Sequence, residues 1–470
     1  MKSVPTRKSP LPVAERLDQD GLLLGWSLET ERRRFPLGFS SGREPDTDRH
    51  LKPILHTGGG HLMTFAPTGA GKGIGAVIPA LLNYAGPVIV IDPKGENYAV
   101  TARRRREMGH QVICLDPFDS IKDEHEDAAF NPLDLIDLDS PNVADDAMML
   151  AEALSYQTTM DTDPFWHIRG KQLLAGVILH TASSLPEPLR TLENVAEQLN
   201  QSRETLATTL AAMGRSRFPL VKATPAIISH SAERMADSIL AMSQTNLSFL
   251  GSPTVCAATA QSSFDPQAVT RGEPLSIYLI VPPEKLESHA PLLRIWIAAL
   301  MKLILNRRAK VARPTLFILD EAAQLGHFPP LRKAITLLRG YGLQTWSFWQ
   351  DLSQLKRLYG DAWETMYNNC RAHQYFGITT PYLAEQISRL TLHDDLFEIL
   401  DLDSDELLLS LAGDRPVIAQ LPNYLLDTPF RGRFDLNPYH EADDMEALKP
   451  SRGQRDFKPN RPRFPESSIF

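Results

Sequence analysis

The sequence predicts an α/β fold: a mostly parallel sheet with helices on both faces, interrupted by an all-helical insertion. Three observations predict it. A strand, a Gly-rich loop and an apolar helix follow one another in "HLMTFAPTGAGKGIGAVIPALLN" (61–83). A second strand, "TLFILDE" (315–321), runs through the apolar residues Leu316–Leu319 into two carboxylates. Between them, from about 141 to 250, apolar residues recur at three-to-four spacing with almost no strand signal.

The elements follow in order. "GLLLGWSLE" (21–29) reads as a short strand entering the fold, and "HLMTFA" (61–66) as the strand ahead of the loop. "PVIVID" (87–92) is a buried strand, "YAVTARRRREMG" (98–109) a helix and "QVICLDP" (111–117) a third strand. This β-α-β-α-β rhythm implies a parallel sheet. It stops for "NVADDAMMLAEALSY", "FWHIRGKQLLAGVILHTASS", "LRTLENVAEQLNQ" and "ERMADSILAMSQTNLSFL", all helical. It resumes with the strand "SIYLIVPP" (276–283) and the buried helix "LLRIWIAALMKLILN" (292–306). "TLFILDE" (315–321), "TWSFWQ" (345–350) and "HQYFG" (373–377) follow as strands, and "VIAQL" (417–421) is expected at a sheet edge. The expected domains are a flexible N-terminus (1–20), a discontinuous α/β domain (21–140 and 251–438), an inserted all-α domain (141–250) and a disordered, polar tail (439–470).

Composition narrows the class. The chain has 470 residues, 43% hydrophobic and 23% charged, an ordinary globular balance. One core rarely grows past ~250–300 residues, so two or three domains are expected. Cys114, Cys256 and Cys370 stand far apart with no C-x-x-C pair, which argues against a disulfide scaffold or zinc site and fits a reducing cytoplasm. The N-terminus lacks the apolar core of a signal peptide. The uncharged run 73–91 is long enough to span a bilayer, but Gly86-Pro87 divides it into a helix and a short strand, so no membrane span is expected. The net charge of −8 excludes coating nucleic acid through a bulk field and leaves only a local basic lining. The run Arg103–Arg106 does not supply it, because consecutive helical residues point to all sides; an ordinary solvated helix is expected there. "DPFW" (163–166) reads as packing at the start of an inserted helix.

The octet "APTGAGKG" (66–73) departs from the phosphate-loop pattern twice, with Ala66 in place of the first Gly and Gly73 in place of the Mg²⁺-binding hydroxyl. A strand–loop–helix unit with Gly-Lys at the helix start is nevertheless an anion site, since backbone N–H groups and the helix N-terminus point at phosphate oxygens. Pro67, Thr68, Gly69, Ala70, Gly71, Lys72, Gly73 and Ile74 would cradle a triphosphate, with Lys72 reaching its β- and γ-phosphates. A buried strand ending in Asp320-Glu321 needs partners for its charge. Mg²⁺ held by Asp320, and a water oriented or deprotonated by Glu321, would supply them. The interval from Lys72 to Asp320 far exceeds the two or three βαβ units, of roughly 30 residues each, that it has to hold. The helical block fills the surplus.

At this point the sequence resembles the coupling ATPases of type IV secretion and bacterial conjugation, the TraG-type family within the HerA/FtsK class of pumping ATPases. The stretches that carry the resemblance are "APTGAGKGIGAVIPALLN", "VIVIDPKGENYAVTA", "CLDPF", "FNPLD", "DPFW", "LFILDEAAQLG" and "WQDLSQLKRLYG", in the family's order. The resemblance implies a RecA-like P-loop core, ATP and Mg²⁺ as cofactors, and a homo-hexameric ring with ATP between subunits. It implies that Gly after the loop lysine is compatible with function, a water standing in for the hydroxyl. Gln350, ending its strand, would sense the γ-phosphate. Arg339 matches the position of the family's arginine finger, which acts on the neighbouring subunit's site; Arg371 is a rival for that role. Asp92, Lys94 and Glu96 of "DPKGEN" fall near the nucleotide or an interface without an assigned chemistry. The partners implied are DNA or a relaxase–DNA complex, received by the helical insert, and the components of a secretion channel.

Most such coupling ATPases begin with a membrane-anchoring pair of helices, which this sequence does not show. The expectation is therefore a cytoplasmic protein, either recruited to the inner membrane by a partner or working as a soluble motor. Two alternatives compete: an adaptor that binds ATP as a switch and delivers protein cargo without moving DNA, and a soluble nucleic-acid-processing ATPase.

Overall fold

The structure, a computed structural model, describes residues 13–28 apart from 15 and 19, then 51–121, 128–155 and 164–438. Its strands are β1 (Leu22–Ser27), β2 (Pro53–His56), β3 (His61–Phe65), β4 (Val88–Ile91), β5 (Gln111–Leu115), β6 (Leu275–Leu279), β7 (Thr315–Leu319), β8 (Leu343–Trp349), β9 (Cys370–Tyr375), β10 (Glu406–Leu411) and β11 (Val417–Gln420). They form one sheet in the order β2-β1-β11-β10-β9-β3-β8-β7-β4-β6-β5. From β9 to β5 all pairs are parallel. From β2 to β9 they are antiparallel.

The near-continuous apolar runs of β4, β6, β7 and β8 belong to strands covered on both faces, and each is buried along its whole length. One face packs through Ile89, Ile277 and Phe317. The other packs through Val88, Tyr278 and Ile318. The first face continues without a break into the helical block, where Leu150, Leu174 and Ile239 belong to the same apolar cluster.

The strand order interleaves segments from before and after the helical block. β3, β4 and β5 precede the helical block, whereas β6, β7 and β8 follow it. In the sheet they interleave: β3 pairs with β8, β4 with both β6 and β7, and β5 with β6. Among the described residues, the regular elements between β5 and β6 are all helical, including Val143–Leu154, Pro164–Ser184, Leu192–Leu199, Arg203–Met213 and Glu233–Asn246. Helix Val143–Leu154 is tied to the buried helix Ala290–Leu305 by a 2.5 Å ion pair between Asp146 and Lys302.

Two expectations are corrected. "VIAQL" is no edge strand: β11 lies inside the sheet between β1 and β10, because β1 and β2 add beyond it. The Arg103–Arg106 run is not uniformly solvated, since Arg105 is fully buried. Its guanidinium donates to Leu81 O (3.2 Å), Gly86 O (2.7 Å) and Tyr84 O, and to Ser276 Oγ (2.8 Å). These carbonyls close the negative end of the helix that follows the Gly-rich loop, so a buried cation is favourable there. Strands β2 and β10 were not read from sequence, and the helix placed at 98–109 spans Glu96–Glu107. Gly86-Pro87 does divide helix Ile78–Asn83 from β4, and no helix among the described residues is long and apolar enough to cross a membrane. The expectations for the tail (439–470), for Asp163 and for most of residues 1–20 lie outside the described residues.

Candidate nucleotide site

The Gly-rich loop leaves the C-terminal end of β3. Ala66 is fully buried, and its N–H donates to Trp349 O at the end of β8 (2.9 Å). Its methyl packs in the apolar layer, so the first departure from the phosphate-loop pattern fills core space. Gly69 and Gly71 have φ of +80° and +88°, a region that costs a side-chain-bearing residue roughly 1 kcal/mol or more. A Cβ at Gly69, Gly71 or Gly73 would meet no atom of the described residues within 4 Å, so among these residues the space over the loop is open. The helix begins with a π turn (Gly73–Val77) in which Ile78 N–H bonds Gly73 O, widening it just ahead of Pro79.

Opposite the loop, β7 ends in Asp320-Glu321. Glu321 adopts φ 58° and ψ 51°, the left-handed region, which is uncommon for a residue with a Cβ and clusters at functional sites. Lys72, 9% exposed, places Nζ 3.2 Å from Glu321 Oε1 and donates to Ala66 O at 3.2 Å. Because β8 lies between β3 and β7, Gln350 at its end falls between loop and acidic pair, and its Nε2 donates to Glu321 Oε2 (3.3 Å). Lys72, Glu321 and Gln350 thus meet through direct contacts. Burial, and then the Glu321 charge, push the Asp320 carboxyl up to about 6 against the pull of Lys72. Asp320 Oδ1 is enclosed, with no hydrogen-bond donor among the described residues. An enclosed carboxylate oxygen without a proton donor suits a hard cation such as Mg²⁺, which takes oxygen ligands and keeps several waters. The residues present therefore fit a metal–triphosphate, with Asp320 as the metal-side ligand.

Arg339 and Arg371 lie elsewhere. Arg339 is in the turn Leu338–Tyr341 leading into β8, and Arg371 is the second residue of β9, after Cys370, which pairs with His61, the first residue of β3. Both are exposed, and both act on the electrostatics of His56, just ahead of β3. The loop with Lys72 is at the other end of β3, which at ~3.3 Å per residue puts these arginines roughly 15 Å or more from Lys72 in the same chain. Neither lies beside Lys72 in this chain.

The family described as type IV secretory system conjugative DNA transfer matches residues 36–392. The chain belongs to this conjugative DNA-transfer family. It is 26% identical over 375 residues to a conjugal transfer protein TraG of Escherichia coli, covering 75% of this chain and 58% of that one. It is 29% identical over 354 residues to protein VirD4 of Rhizobium radiobacter, covering 70% of this chain and 48% of that one. The chain spans about half the length of the curated relatives it matches. Among solved structures, the plasmid coupling protein TrwB in complex with the non-hydrolysable ATP analogue ADPNP superimposes with a TM-score of 0.62 at 18% identity, covering 77% of this chain and 85% of that one. TrwB in complex with ADP and Mg²⁺ gives a TM-score of 0.60 at 18% identity, with the same coverage. The fold is TrwB-like: a RecA-like α/β core with a helical domain.

Within this family member, Asp92, which the sequence reading set near the nucleotide without a chemistry, adjoins the site, and two glycines that it did not single out do so as well. Asp92, at the end of β4, is 1% exposed and accepts from Tyr98 N–H (2.8 Å) and Asn97 Nδ2 (3.2 Å). Burial pushes its carboxyl up to about 7, and the charges of Asp320 and Glu96 push the same way. "DPKGEN" is thus electrostatically joined to the acidic pair because β4 and β7 are neighbours. Gly377 (φ +68°) ends the β9 segment against the loop, where a Cβ would fall 2.6 Å from Ala70 Cβ. Gly75 faces Leu421, which a Cβ would meet at 2.6 Å. The only sequence signal for the last two was a glycine at the end of a strand or in a helix.

Proposed function

We propose that this chain is an ATP-hydrolysing coupling protein that recruits DNA or a relaxase–DNA complex and pumps it toward a type IV secretion channel. The observation that carries the proposal is the convergence of Lys72, Glu321 and Gln350 beneath an open glycine loop, in a member of the conjugative DNA-transfer family. Bound nucleotide and Mg²⁺ in TrwB structures of the same fold support ATP as the ligand.

The residues divide the chemistry. Residues 67–74 cradle the phosphates, and Lys72 leaves Glu321 to neutralise the β- and γ-phosphates. Asp320 would hold Mg²⁺, which would supply charge neutralisation. Glu321, freed from Lys72, orients the attacking water and accepts its proton. Gln350 holds the second Glu321 oxygen and reports the γ-phosphate. Arg339 acts on a neighbouring subunit's site in a homo-hexamer, consistent with its exposure and its place at the far end of the strands. The domain division follows the sequence reading: 21–140 with 251–438 bind nucleotide, and 141–250 receive substrate. Delivery to a secretion channel places its work at the cytoplasmic face of the inner membrane.

The test is DNA-stimulated phosphate release by the purified chain. The proposal expects turnover that depends on Lys72 and Glu321 and rises with DNA. Gly73, lacking the metal-side hydroxyl, favours a second reading, an ATP-switched adaptor for protein cargo; tight ATP binding without turnover in the wild type would select it.

A further inference from the structure

Arg307 is a buried cation with no carboxylate partner among the described residues. It follows helix Ala290–Leu305 and is 7% exposed. Its hydrogen bonds go to neutral oxygens on three separate pieces of chain. Nη2 and Nε donate to Val269 O (2.8 and 3.3 Å), in the short helix Gln267–Arg271 through which the chain returns from the helical block to β6. Nη2 also donates to Thr315 Oγ1 (2.6 Å), the first residue of β7. Nη1 donates to Gly342 O (2.9 Å) and Tyr341 O (3.3 Å), the residues that close the Arg339 turn.

The surroundings are built for this geometry. Gly342 (φ +74°) folds back with its N–H on Arg339 O (3.2 Å), and its carbonyl also accepts Thr315 N–H (2.8 Å). A Cβ on Gly342 would fall 2.6 Å from Val311 and 3.2 Å from Arg307 Nη1. A Cβ on Gly272 would fall 2.5 Å from the same Val311. Only glycines let the return helix and the Arg339 turn close on the segment 307–311. Burying a guanidinium without a counter-charge is costly, and the planar fork repays part of that only while its donors are satisfied. A lysine supplies charge but not the fork.

We propose that Arg307 is a positioning residue for Arg339: it locks the turn that presents Arg339 and ties that turn to the point where the helical insert rejoins the sheet. This rests on the proposed in-trans role of Arg339. Displacing the turn leaves a subunit's own pocket of Lys72, Asp320, Glu321 and Gln350 intact but makes it a poor donor to its neighbour.

The experiment compares Arg307→Lys, Arg307→Gln and Arg339→Ala, each alone and co-assembled with Glu321→Gln protein into mixed oligomers. A misplacement of about 1 Å costs on the order of 10²-fold in rate, so both Arg307 variants are expected to lose about that much kcat with KM for ATP little changed. Mixing Arg307→Lys with Glu321→Gln restores turnover beyond the sum of the two, because the second subunit supplies a well-set Arg339 to the first subunit's intact pocket. Mixing Arg307→Lys with Arg339→Ala restores nothing. If Arg307→Gln does not fold, the lysine variant carries the test. Full kcat in Arg307→Lys beside an impaired Arg339→Ala overturns the inference, as does an impaired Arg307→Lys that no mixture rescues. Wild-type turnover in Arg339→Ala instead overturns the in-trans reading beneath it.

Discussion

Lys72 Nζ and Glu321 Oε1 are 3.2 Å apart, so the proposed phosphate-binding cation and the proposed base neutralise each other when no nucleotide is bound. A phosphate drawing Lys72 away uncovers Glu321. Glu321→Gln removes the competitor for Lys72, so ATP affinity is expected to hold or rise while turnover falls ~10²–10⁴-fold. Lys72→Ala removes a charge-assisted contact and weakens ATP binding by about 2 kcal/mol or more. Fluorescent-nucleotide titration and phosphate release check both.

Gln350 Nε2 holds Glu321 Oε2 at 3.3 Å. Gln350→Ala frees one oxygen of the base, and turnover is expected to drop about tenfold at unchanged melting temperature, a loss equal to one hydrogen bond to a charged group. Gln350→Glu sets two carboxylates against each other, so one pKa of the pair rises. The acidic limb of its pH–rate profile should move to higher pH; a profile that stays in place argues against the contact.

Arg105 is the structural arginine of its run. Removing it leaves the carbonyls of Leu81, Tyr84 and Gly86 without this donor. Arg105→Ala should destabilise by about 3 kcal/mol or more, because unpaired buried polar groups cost ~1–3 kcal/mol each. Arg106→Ala, at an exposed position, should stay within ~1 kcal/mol. Urea unfolding separates the two.

His61 is buried at the start of β3, and its Nδ1 accepts Thr345 N–H (3.1 Å), a role only the neutral ring performs. Burial, and then Arg339, lower its pKa to about 4. A base depressed in the fold contributes stability that is present above the unfolded value of 6.5 and is lost as pH falls toward 4. Asp92 and Asp320, raised to about 7 and about 6, pull the other way across much of that range. The difference between wild type and His61→Asn isolates the histidine. It should shrink by about 2–3 kcal/mol from pH 7 to pH 4, at ~1.4 kcal/mol per pKa unit. A difference flat with pH would reject the assignment.

The sequence by itself determined the chemistry-bearing ends of strands. Gly-Lys after an apolar strand and Asp-Glu after another are local signals, because a buried strand must end where charge begins. The break at Gly86-Pro87 and the helical block were legible for the same reason: turn chemistry and apolar period are short-range properties. Tertiary structure alone decided which strands are neighbours. β8 reaches its place between β3 and β7, and β6 between β4 and β5, only after the helical block has been crossed. That interleaving sets Gln350 on Glu321, Asp92 near Asp320, and Arg307 under the Arg339 turn. The same long-range packing buried one arginine of four and carried β11 from an edge into the sheet. Pairing between segments more than 200 residues apart is chosen by shared burial on two faces of one sheet, and a local window of sequence carries no record of it.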